Sequence, residues 1–225
     1  MSIRAVIFDR GGVLTDFDVK AAIAFFEPLL PLSMEELVQR WEQWGKLVGF
    51  PRSVTEENAF FHGLWNHLSD EFGLSQAKRK QLLQFNYTSL IRPFPDARPM
   101  LLDARRRGLL IGVLSNFSLA SLDASLVAAG LADLVDIAYA ATVIGVAKPH
   151  PESYLTLTDA LSVEPKECLL FDDEMPCVKG GRAVGIHSYF VDRRRSRHAI
   201  SQGVVCDLSA LPTILAPPQN LAPIK

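Results

Sequence analysis

The sequence predicts an α/β fold, a Rossmann-like doubly wound parallel sheet with a helical bundle inserted near its start. From residue 91 onward, short apolar runs alternate with segments of helical periodicity, and repeated strand and helix units imply a parallel sheet with helices on both faces. Between the first apolar run and that alternation, residues 17–91 have a helical pattern throughout. The bundle is therefore predicted to interrupt the α/β unit just after its first strand.

The first strand is predicted from an apolar run at residues 6–8 that ends on the carboxylate of Asp9. Such an unbroken run suits a strand that is buried on both faces. Gly11 and Gly12 follow, and two glycines allow the backbone to turn sharply and to approach a ligand. Asp9 could face a bound ion or phosphate, or it could only cap the next element, and this stretch alone leaves both interpretations open.

Four helices are predicted in the inserted region, from capping residues, glycines or prolines at their ends and apolar residues at helical spacing. They cover about residues 18–27, 34–45, 53–73 and 75–87. Ser33 with Glu36 three residues later has the pattern of a capping box. The aromatic residues of this region favour packing inside the bundle over lining a substrate pocket, because they fall at helical spacing. They are Trp41, Trp44, Phe60, Phe61 and Trp65.

The alternating region predicts four further strands, at about residues 109–114, 135–139, 168–171 and 186–191. Its helices are predicted at about residues 96–107, 120–129, from 151 onward, and 176–184. The predicted domains are an α/β core at residues 1–16 and 92–225 and a helical domain at residues 17–91, with a polar extended tail from residue 216.

Composition gives no sign of a nucleic-acid or membrane partner. With 23 basic and 25 acidic residues, the net charge is −2. No apolar run approaches the length of a membrane span and the N-terminus leads directly into a strand, so we expect a cytoplasmic protein. The three cysteines form no CxxC pair and are predicted to be reduced thiols. The sequence does not predict the oligomeric state.

Two arginine clusters have ordinary structural explanations. Residues 105–107 fall in the last turn of a predicted helix, where cations interact favourably with the helix dipole. Arg193, Arg194, Arg195 and Arg197 follow a predicted strand and could contact an anionic substrate or partner, but a solvated loop is the favoured interpretation.

The C-terminal ends of three predicted strands carry groups suited to chemistry on a bound ligand, and in an open parallel sheet the ligand site lies outside these ends. Three carboxylates that converge there would repel one another unless they surround a hard cation such as Mg²⁺. A lysine and a hydroxyl could then hold phosphate oxygens, and one aspartate could act as a nucleophile. The residues are Asp9, Ser115, Asn116, Asp172 and Asp173, with Lys148 in a loop on the same side of the sheet.

Four segments in this order, FDRGGVL, VLSNFS, KPHPESY and FDDEMPCVKGGRAVG, resemble the four motifs of the haloacid dehalogenase-like (HAD) hydrolase superfamily. The resemblance covers essentially the whole chain and includes a helical cap between the first and second motifs, as in subfamily I. It implies that Asp9 is the nucleophile and forms an aspartyl intermediate, and that Ser115 and Lys148 bind phosphate oxygens during catalysis.

The same resemblance implies a substrate site and a metal site. The substrate-binding residues would be Ser115, Asn116, Lys148 and Gly12. Mg²⁺ would be held by Asp9, the carbonyl of Gly11 and Asp173, with Asp172 beside it.

Gly11 departs from the pattern of HAD phosphatases, which usually carry a second aspartate there as general acid and base. General acid catalysis contributes about 10²–10⁴-fold, so simple alkyl phosphates are expected to be hydrolysed slowly. Substrates with a good leaving group, such as a sugar 1-phosphate or an acyl phosphate, depend less on it. The D-x-G start resembles the glucose-1-phosphatase-like branch, in which two further acids follow. Asp16 and Asp18 stand there, and either a substitute catalytic role or capping of the first bundle helix fits them.

Cys177 is a second departure, because related sequences with a paired-acid fourth motif often have Asn or Asp at this position. One outer hydrogen bond of the metal site is therefore expected to be absent, and metal affinity is expected to be weaker.

Two alternatives stand beside the favoured function, a Mg²⁺-dependent phosphoric monoester hydrolase acting on a small phosphorylated metabolite. A haloacid dehalogenase also uses an aspartate nucleophile and lacks the second aspartate, but it needs no metal. Its fourth motif resembles Ser-Ser-Asn, so Asp172 and Asp173 favour phosphoryl transfer. The other alternative is a degenerate member that binds a phosphorylated ligand or a partner without turnover. Gly11 and Cys177 favour it, and the intact motif residues oppose it.

Overall fold

A six-stranded sheet forms the centre of the computed structural model, which describes residues 2–117 and 121–216. The strands, in chain order, are β1 (Ala5–Phe8), β2 (Thr15–Phe17), β3 (Ile91–Pro93), β4 (Leu110–Ser115), β5 (Ile137–Ala140), β6 (Cys168–Asp172), β7 (His187–Val191) and β8 (Val204–Val205). The sheet order is β5-β4-β1-β6-β7-β8, and each neighbouring pair is parallel. The predicted α/β fold with a doubly wound parallel sheet is confirmed.

Some of the helices cover the two faces of this sheet, and the others form the inserted region. In chain order they are α1 (Val19–Phe26), α2 (Met34–Val48), α3 (Val54–Glu71), α4 (Gln76–Leu83), α5 (Ala97–Arg106), α6 (Leu122–Ala128), α7 (Ala141–Ile144), α8 (Pro151–Ala160), α9 (Met175–Ala183) and α10 (Leu211–Ile214). Short 3₁₀ turns lie at Tyr87–Leu90, Ala132–Leu134, Pro165–Glu167, Ile200–Gln202 and Leu208–Ala210.

Strand β1 lies between β4 and β6 and has no exposed side chain. Val6 and Phe8 belong to the apolar cluster on one face of the sheet, and Ala5 and Ile7 to the cluster on the other, because successive side chains of a strand point to opposite faces. Both sets are removed from water, which is the dominant favourable contribution to folding. The central position of β1 explains its continuous apolar run.

The inserted helices α1 to α4 pack around an apolar cluster of their own. The capping box at the start of α2 is confirmed, because the backbone N–H of Glu36 donates to Ser33 Oγ at 3.2 Å and that of Ser33 donates to the Glu36 carboxylate at 2.8 Å. The predicted packing role of the aromatic residues is also confirmed. Trp65 is buried in the cluster, and Trp41, Trp44 and Phe61 pack against it. Phe60 is also buried, with its ring 5.6 Å from that of Phe61.

The predicted end of α2 at Gly45 is wrong, because the helix continues to Val48 and ends at Gly49. Gly49 has φ +89°, a conformation that favours glycine. Gly45 is instead a packing position, since a Cβ atom there would collide with the ring of Phe50. A glycine that makes room for an aromatic ring has the same sequence signature as a helix stop.

The chain passes between the sheet and the inserted helices twice, and these two connecting segments pair as a two-stranded ribbon. Strands β2 and β3 pair antiparallel over three residues each, with Thr15 opposite Pro93 and Phe17 opposite Ile91. Strands this short carry no measurable periodicity, so the sequence did not predict them. The proposed domain boundaries, after residues 16 and 91, fall inside this ribbon.

Other differences concern short elements. Strand β8 and helices α7 and α10 were not predicted, because they span only two to four residues. The predicted helix start at residue 120 and the predicted tail beyond residue 216 lie outside the described residues. Within the described ranges, none of the helices combines the length and apolar character that a membrane span requires.

Candidate active site

Three parallel strands at the centre of the sheet bring the candidate site residues together. Asp9 follows β1, Ser115 ends β4 and Asp172 ends β6, and these strands are neighbours in the sheet. The backbone N–H of Asp9 donates to the carbonyl of Phe171 at 2.9 Å, which fixes the strand end that carries the carboxylate. The edge where parallel strands end is the expected place for a ligand site.

Lys148 joins two of these carboxylates. Its Nζ lies 2.8 Å from Asp9 Oδ1 and 2.6 Å from Asp172 Oδ2. The lysine side chain is only 2% exposed. Burial by itself lowers the pKa of Lys148, but Asp9 and Asp172 together raise it above its ordinary value. The site therefore contains a permanent cation in contact with the candidate nucleophile.

Asn116 positions this lysine through its backbone. The N–H of Lys148 donates to Asn116 Oδ1 at 2.8 Å, and Asn116 Nδ2 donates to the carbonyl of Lys148 at 2.8 Å. The two hydrogen bonds connect the loop after β4 to the loop before α8. The side chain of Asn116 therefore contacts Lys148, a relationship that the sequence did not indicate.

Carboxylates outnumber cations around Asp9. Burial, and then the charges of Asp9 and Asp172, raise the pKa of Asp173 to about 6. Burial and the nearby Asp9 charge also raise the pKa of Asp172, against the opposing effect of Lys148. Three carboxylates with one lysine in contact form a site that gains stability from a further cation.

The two glycines after Asp9 have different surroundings. Gly12 has φ +71°, and a Cβ atom there would occupy the position of the Asp173 carboxylate. Gly11 has no heavy atom within 4 Å of an added Cβ position. Gly12 is therefore required for the close approach of Asp173, whereas the position of Gly11 has room for a side chain.

The prediction of a solvated loop is wrong for Arg193. Its Nε donates to the carbonyl of Gly12 at 3.0 Å, and its Nη2 donates to that of Val13 at 2.5 Å. The guanidinium also pairs with Asp96 at 3.0 and 3.1 Å and lies 3.6 Å from the ring centre of Phe94. Arg193 thus braces the loop that follows Asp9 from a point late in the chain.

The neighbouring arginines do follow the prediction of a solvated loop. Arg194 and Arg195 are exposed and pair with Asp192 in their own loop, and Arg197 is exposed as well. In the other cluster, Arg105 pairs with Asp136 at the end of α5.

The two acids proposed as substitutes for the missing aspartate have different surroundings in the structure. Asp18 caps α1, because its Oδ1 accepts a hydrogen bond from the N–H of Ala21 at 2.9 Å. Asp16 lies on β2 and does not cap that helix. It lines a cavity together with Gly12 and Asp173. Asp16 is therefore the acid that remains a candidate for a catalytic role.

Cys177 takes part in a hydrogen-bonded group next to the site. Its thiol is buried and donates to Glu174 Oε2 at 3.1 Å. Burial and the nearby Asp172 charge raise the pKa of this thiol, so it stays protonated. The sequence identified this position but not its partner.

Arg10 is a site residue that the sequence analysis missed. Its side chain is buried beside Asp9, stacks over the ring of Phe117 at 4.2 Å and donates to Thr15 Oγ1 at 3.3 Å. Burial lowers its pKa, and Asp9 and Tyr87 oppose that effect. The available signal was a charged residue directly after the acid that ends a buried strand.

A cavity of about 270 Å³ lies where the inserted helices meet α6. Glu57 on α3 accepts a hydrogen bond from the N–H of Ser121 at 2.9 Å, and the hydroxyl of Tyr87 donates to the carbonyl of Ser121 at 3.1 Å. Phe61 and Trp65 line this cavity in addition to packing in the bundle. The helical region therefore contacts the sheet domain through polar groups and leaves space beside them.

A family model for haloacid dehalogenase-like hydrolases matches residues 3–185. The chain belongs to the haloacid dehalogenase-like hydrolase family. This confirms the resemblance of the four segments, and the protein is a HAD-like hydrolase.

Curated relatives of this HAD-like hydrolase include both phosphatases and dehalogenases. It is 40% identical over 216 residues to Phosphatase MT3486 of Mycobacterium tuberculosis (strain CDC 1551 / Oshkosh), which covers 96% of this chain and 98% of the relative. It is 28% identical over 207 residues to (S)-2-haloacid dehalogenase of Xanthobacter autotrophicus, covering 90% of this chain and 80% of the relative.

Solved structures of the same fold also fall in both groups. The HAD phosphatase from Thermococcus onnurineus superposes with a TM-score of 0.66 at 23% identity, over 95% of this chain and 98% of the other. L-2-haloacid dehalogenase from Xanthobacter autotrophicus superposes with a TM-score of 0.64 at 24% identity, over 98% of this chain and 100% of the other. These structures support the fold of the HAD-like hydrolase.

Proposed function

We propose that this hydrolase is a Mg²⁺-dependent phosphatase that acts on a small phosphorylated metabolite through an aspartyl-phosphate on Asp9. The observation that carries the proposal is the excess of carboxylate around Asp9, where Asp172 and Asp173 accompany the candidate nucleophile and, within the described ranges, Lys148 is the lysine in contact with it. A dehalogenase has no need for this excess. The 40% identity to a phosphatase over nearly the whole chain supports the same conclusion.

The donor set fits Mg²⁺. Its oxygen ligands would be Asp9, Asp173 and the carbonyl of Gly11, while Asp172 is already engaged by Lys148. The raised pKa of Asp173 reflects a carboxylate that lacks a compensating charge, and Gly12 leaves room for it to lie against the loop. When bound, Mg²⁺ supplies positive charge that screens the nucleophile from the anionic phosphate.

The residues of the chain account for the two steps of the proposed reaction. The Asp9 carboxylate attacks phosphorus while Lys148 and Ser115 hold phosphate oxygens, and the bond from phosphorus to the ester oxygen breaks. The leaving oxygen takes a proton from water or from Asp16. Water then attacks the phosphorus of the aspartyl-phosphate and returns a proton to the group that protonated the leaving oxygen. This step releases inorganic phosphate and restores the Asp9 carboxylate.

Substrates with good leaving groups, including sugar 1-phosphates, are part of the proposal because Gly11 supplies no acid. The position of Asp16 in the cavity with Gly12 and Asp173 makes it the substitute that we favour. The near-neutral charge of −2 supports a small metabolite rather than nucleic acid or a membrane as the partner.

An assay of the purified protein tests the proposal. Phosphate release from p-nitrophenyl phosphate and from a panel of sugar phosphates would be measured with Mg²⁺ or with EDTA. The Asp9→Asn variant is the control, because it keeps the shape of the nucleophile and removes its reactivity. Activity that is unchanged by EDTA or by Asp9→Asn would contradict the mechanism.

A haloacid dehalogenase is the second candidate, favoured by the 28% identity to an enzyme of that name and by the absence of a second aspartate at Gly11. Release of chloride from 2-chloropropionate, unaffected by EDTA, would support it. Absence of turnover on every substrate would favour a degenerate protein that binds a phosphorylated ligand or a partner.

A further inference from the structure

Arg10 carries a buried positive charge that lacks a carboxylate partner. The residue is 8% exposed, and among the described residues no acid lies within ion-pair distance of its guanidinium, while its Nε has no hydrogen-bond partner. Two other cations near the site, in contrast, are paired with carboxylates. Lys148 pairs with two aspartates, and Arg193 pairs with Asp96.

The few contacts that Arg10 makes do not balance its charge. The ring of Phe117 provides a cation–π contact at 4.2 Å, and Thr15 accepts one hydrogen bond. A cation–π contact offsets only part of the cost of removing a guanidinium from water. Arginine keeps its charge and presents a planar set of donors that matches a carboxylate or a phosphate. The surroundings of Arg10 therefore suit an anion that arrives with a ligand.

Arg10 lies on the side of Asp9 that faces the inserted helices. Phe117, over which it stacks, has its ring 5.6 Å from that of Tyr87, which in turn stacks on Phe61 of α3 at 6.0 Å. In an in-line displacement the leaving oxygen departs on the side of phosphorus opposite the nucleophile. Since Lys148 and Ser115 are placed to hold the phosphate, the part of a substrate beyond the phosphate extends towards the inserted helices and past Arg10.

We propose that Arg10 binds a carboxylate on the leaving group of the substrate, so that, among phosphate esters with leaving groups of similar quality, those of small hydroxy acids are preferred. This inference rests on the proposed phosphatase function and narrows its substrate class. One carboxylate matches the single positive charge of the Arg10 guanidinium. A second phosphate group would bring more negative charge than Arg10 balances, next to a site that already holds three aspartates.

A matched pair of substrates tests this proposal. 3-Phosphoglycerate and glycerol 3-phosphate have the same carbon skeleton. They differ at one terminal carbon, which is a carboxylate in the first compound and an alcohol in the second. The wild-type protein is expected to prefer the acid in kcat/KM by at least about tenfold, the lower end of the coupling for a close charge pair. Arg10→Gln is expected to remove this preference, chiefly by raising KM for the acid, and to lower activity on p-nitrophenyl phosphate and on glycerol 3-phosphate much less than on the acid.

Two further variants separate charge from general damage. Arg10→Lys keeps the charge without the planar donors and is expected to retain part of the preference. Arg105→Gln removes a surface arginine that pairs with Asp136 and is expected to leave the preference unchanged. Equal losses on the acid, the alcohol and p-nitrophenyl phosphate in Arg10→Gln would overturn the proposal, and so would a wild-type protein without preference for the acid.

Binding measured without turnover distinguishes failure of this inference from failure of the proposed function. Calorimetric titration of Asp9→Asn with both phosphates is expected to show tighter binding of 3-phosphoglycerate, which adding Arg10→Gln abolishes. If no phosphate ester is hydrolysed but this difference is found, the phosphatase function fails and the Arg10 site stands. If esters are hydrolysed and neither assay shows the difference, the Arg10 site fails alone.

Discussion

Arg193 donates a hydrogen bond of 3.0 Å from its Nε to the carbonyl of Gly12, although 181 residues separate the two in the chain. The same guanidinium reaches Val13 and Asp96, so it ties the loop after β7 to the loop after β1. The loop it braces carries Gly11 and Gly12 and begins at Asp9. The position of the candidate nucleophile thus depends on a contact that closes only when the whole sheet has formed.

Replacing Arg193 is expected to weaken both the fold and the activity. Arg193→Met leaves Asp96 without its ion-pair partner and frees two carbonyls. The loss of partly buried charged hydrogen bonds should lower the free energy of unfolding by about 2 kcal/mol. Phosphatase activity is expected to fall as the nucleophile loop loosens. Urea denaturation and kcat would be compared with Arg194→Met, whose exposed side chain pairs only within its loop. Equal effects of the two substitutions would contradict the bracing role.

Gly12→Ala and Gly11→Ala are expected to have very different effects on the Mg²⁺ dependence of activity. At Gly12 the added methyl group collides with the Asp173 carboxylate and also occupies a backbone conformation with positive φ, which costs about 1–2 kcal/mol. We expect apparent Mg²⁺ affinity to fall about 10–100-fold. At Gly11 the methyl group meets no neighbour within 4 Å. Activity would be titrated against Mg²⁺ for both variants, and an unchanged Mg²⁺ dependence in Gly12→Ala would argue against Asp173 as a ligand.

The space at Gly11 allows the missing acid to be restored. Gly11→Asp is expected to raise kcat on alkyl phosphates about tenfold, a part of the 10²–10⁴-fold that general acid catalysis contributes in an adapted site. Turnover of p-nitrophenyl phosphate should change less, because its leaving group needs little protonation. Gly11→Asn has the same size and no acid, so the same gain from Gly11→Asn would show that proton donation is not the cause.

Glu57 is expected to make the stability of the protein depend on pH. Burial raises the pKa of this carboxyl above its ordinary value, although hydrogen bonds with Ser121 oppose the shift. The folded state therefore holds the proton more tightly than the unfolded state. This contribution to stability is fully present below the unfolded pKa of 4.5 and is lost as the pH rises through the folded value.

Glu57→Gln removes this pH dependence of stability and keeps an oxygen that can accept the hydrogen bond from the N–H of Ser121. The free energy of unfolding of the variant, minus that of the wild type, is expected to increase as the pH rises from 4 to 8. Chemical denaturation across that range would measure it, with the exposed Glu42→Gln as the control for the change of charge. A difference that stays constant with pH would show that the buried carboxyl does not titrate as expected.

The sequence predicted those features that depend on neighbouring residues. The buried strand before Asp9, the capping box of Ser33 and Glu36, and the order of the motifs can be recognised locally. The strand ends also predicted that Asp9, Ser115 and Asp172 would converge, because neighbouring parallel strands end at one edge. The roles of these residues in catalysis stay predictions.

The features that the sequence did not predict depend on distant partners. The contact of Arg193 with Gly12 needs the completed sheet, and the packing of Gly45 against Phe50 is indistinguishable from a helix stop in the sequence. The burial of Arg10 was hidden for the same reason, since Phe117 and Tyr87 approach it only through the fold. A charged residue or a glycine can have several structural roles, and its tertiary neighbours determine which role it has.

The ribbon of β2 and β3 has a consequence for how the core tolerates its insertion. By pairing Thr15 with Pro93 and Phe17 with Ile91, it holds both ends of the inserted helices side by side. For the sheet domain, the inserted helices are then a loop whose two ends lie side by side, whatever the length of the loop. Closing such a loop costs an entropy that grows only with the logarithm of its length, about 0.6 kcal/mol for each doubling. Evolution can therefore lengthen, shorten or exchange the helical region with little effect on the stability of the core that carries Asp9.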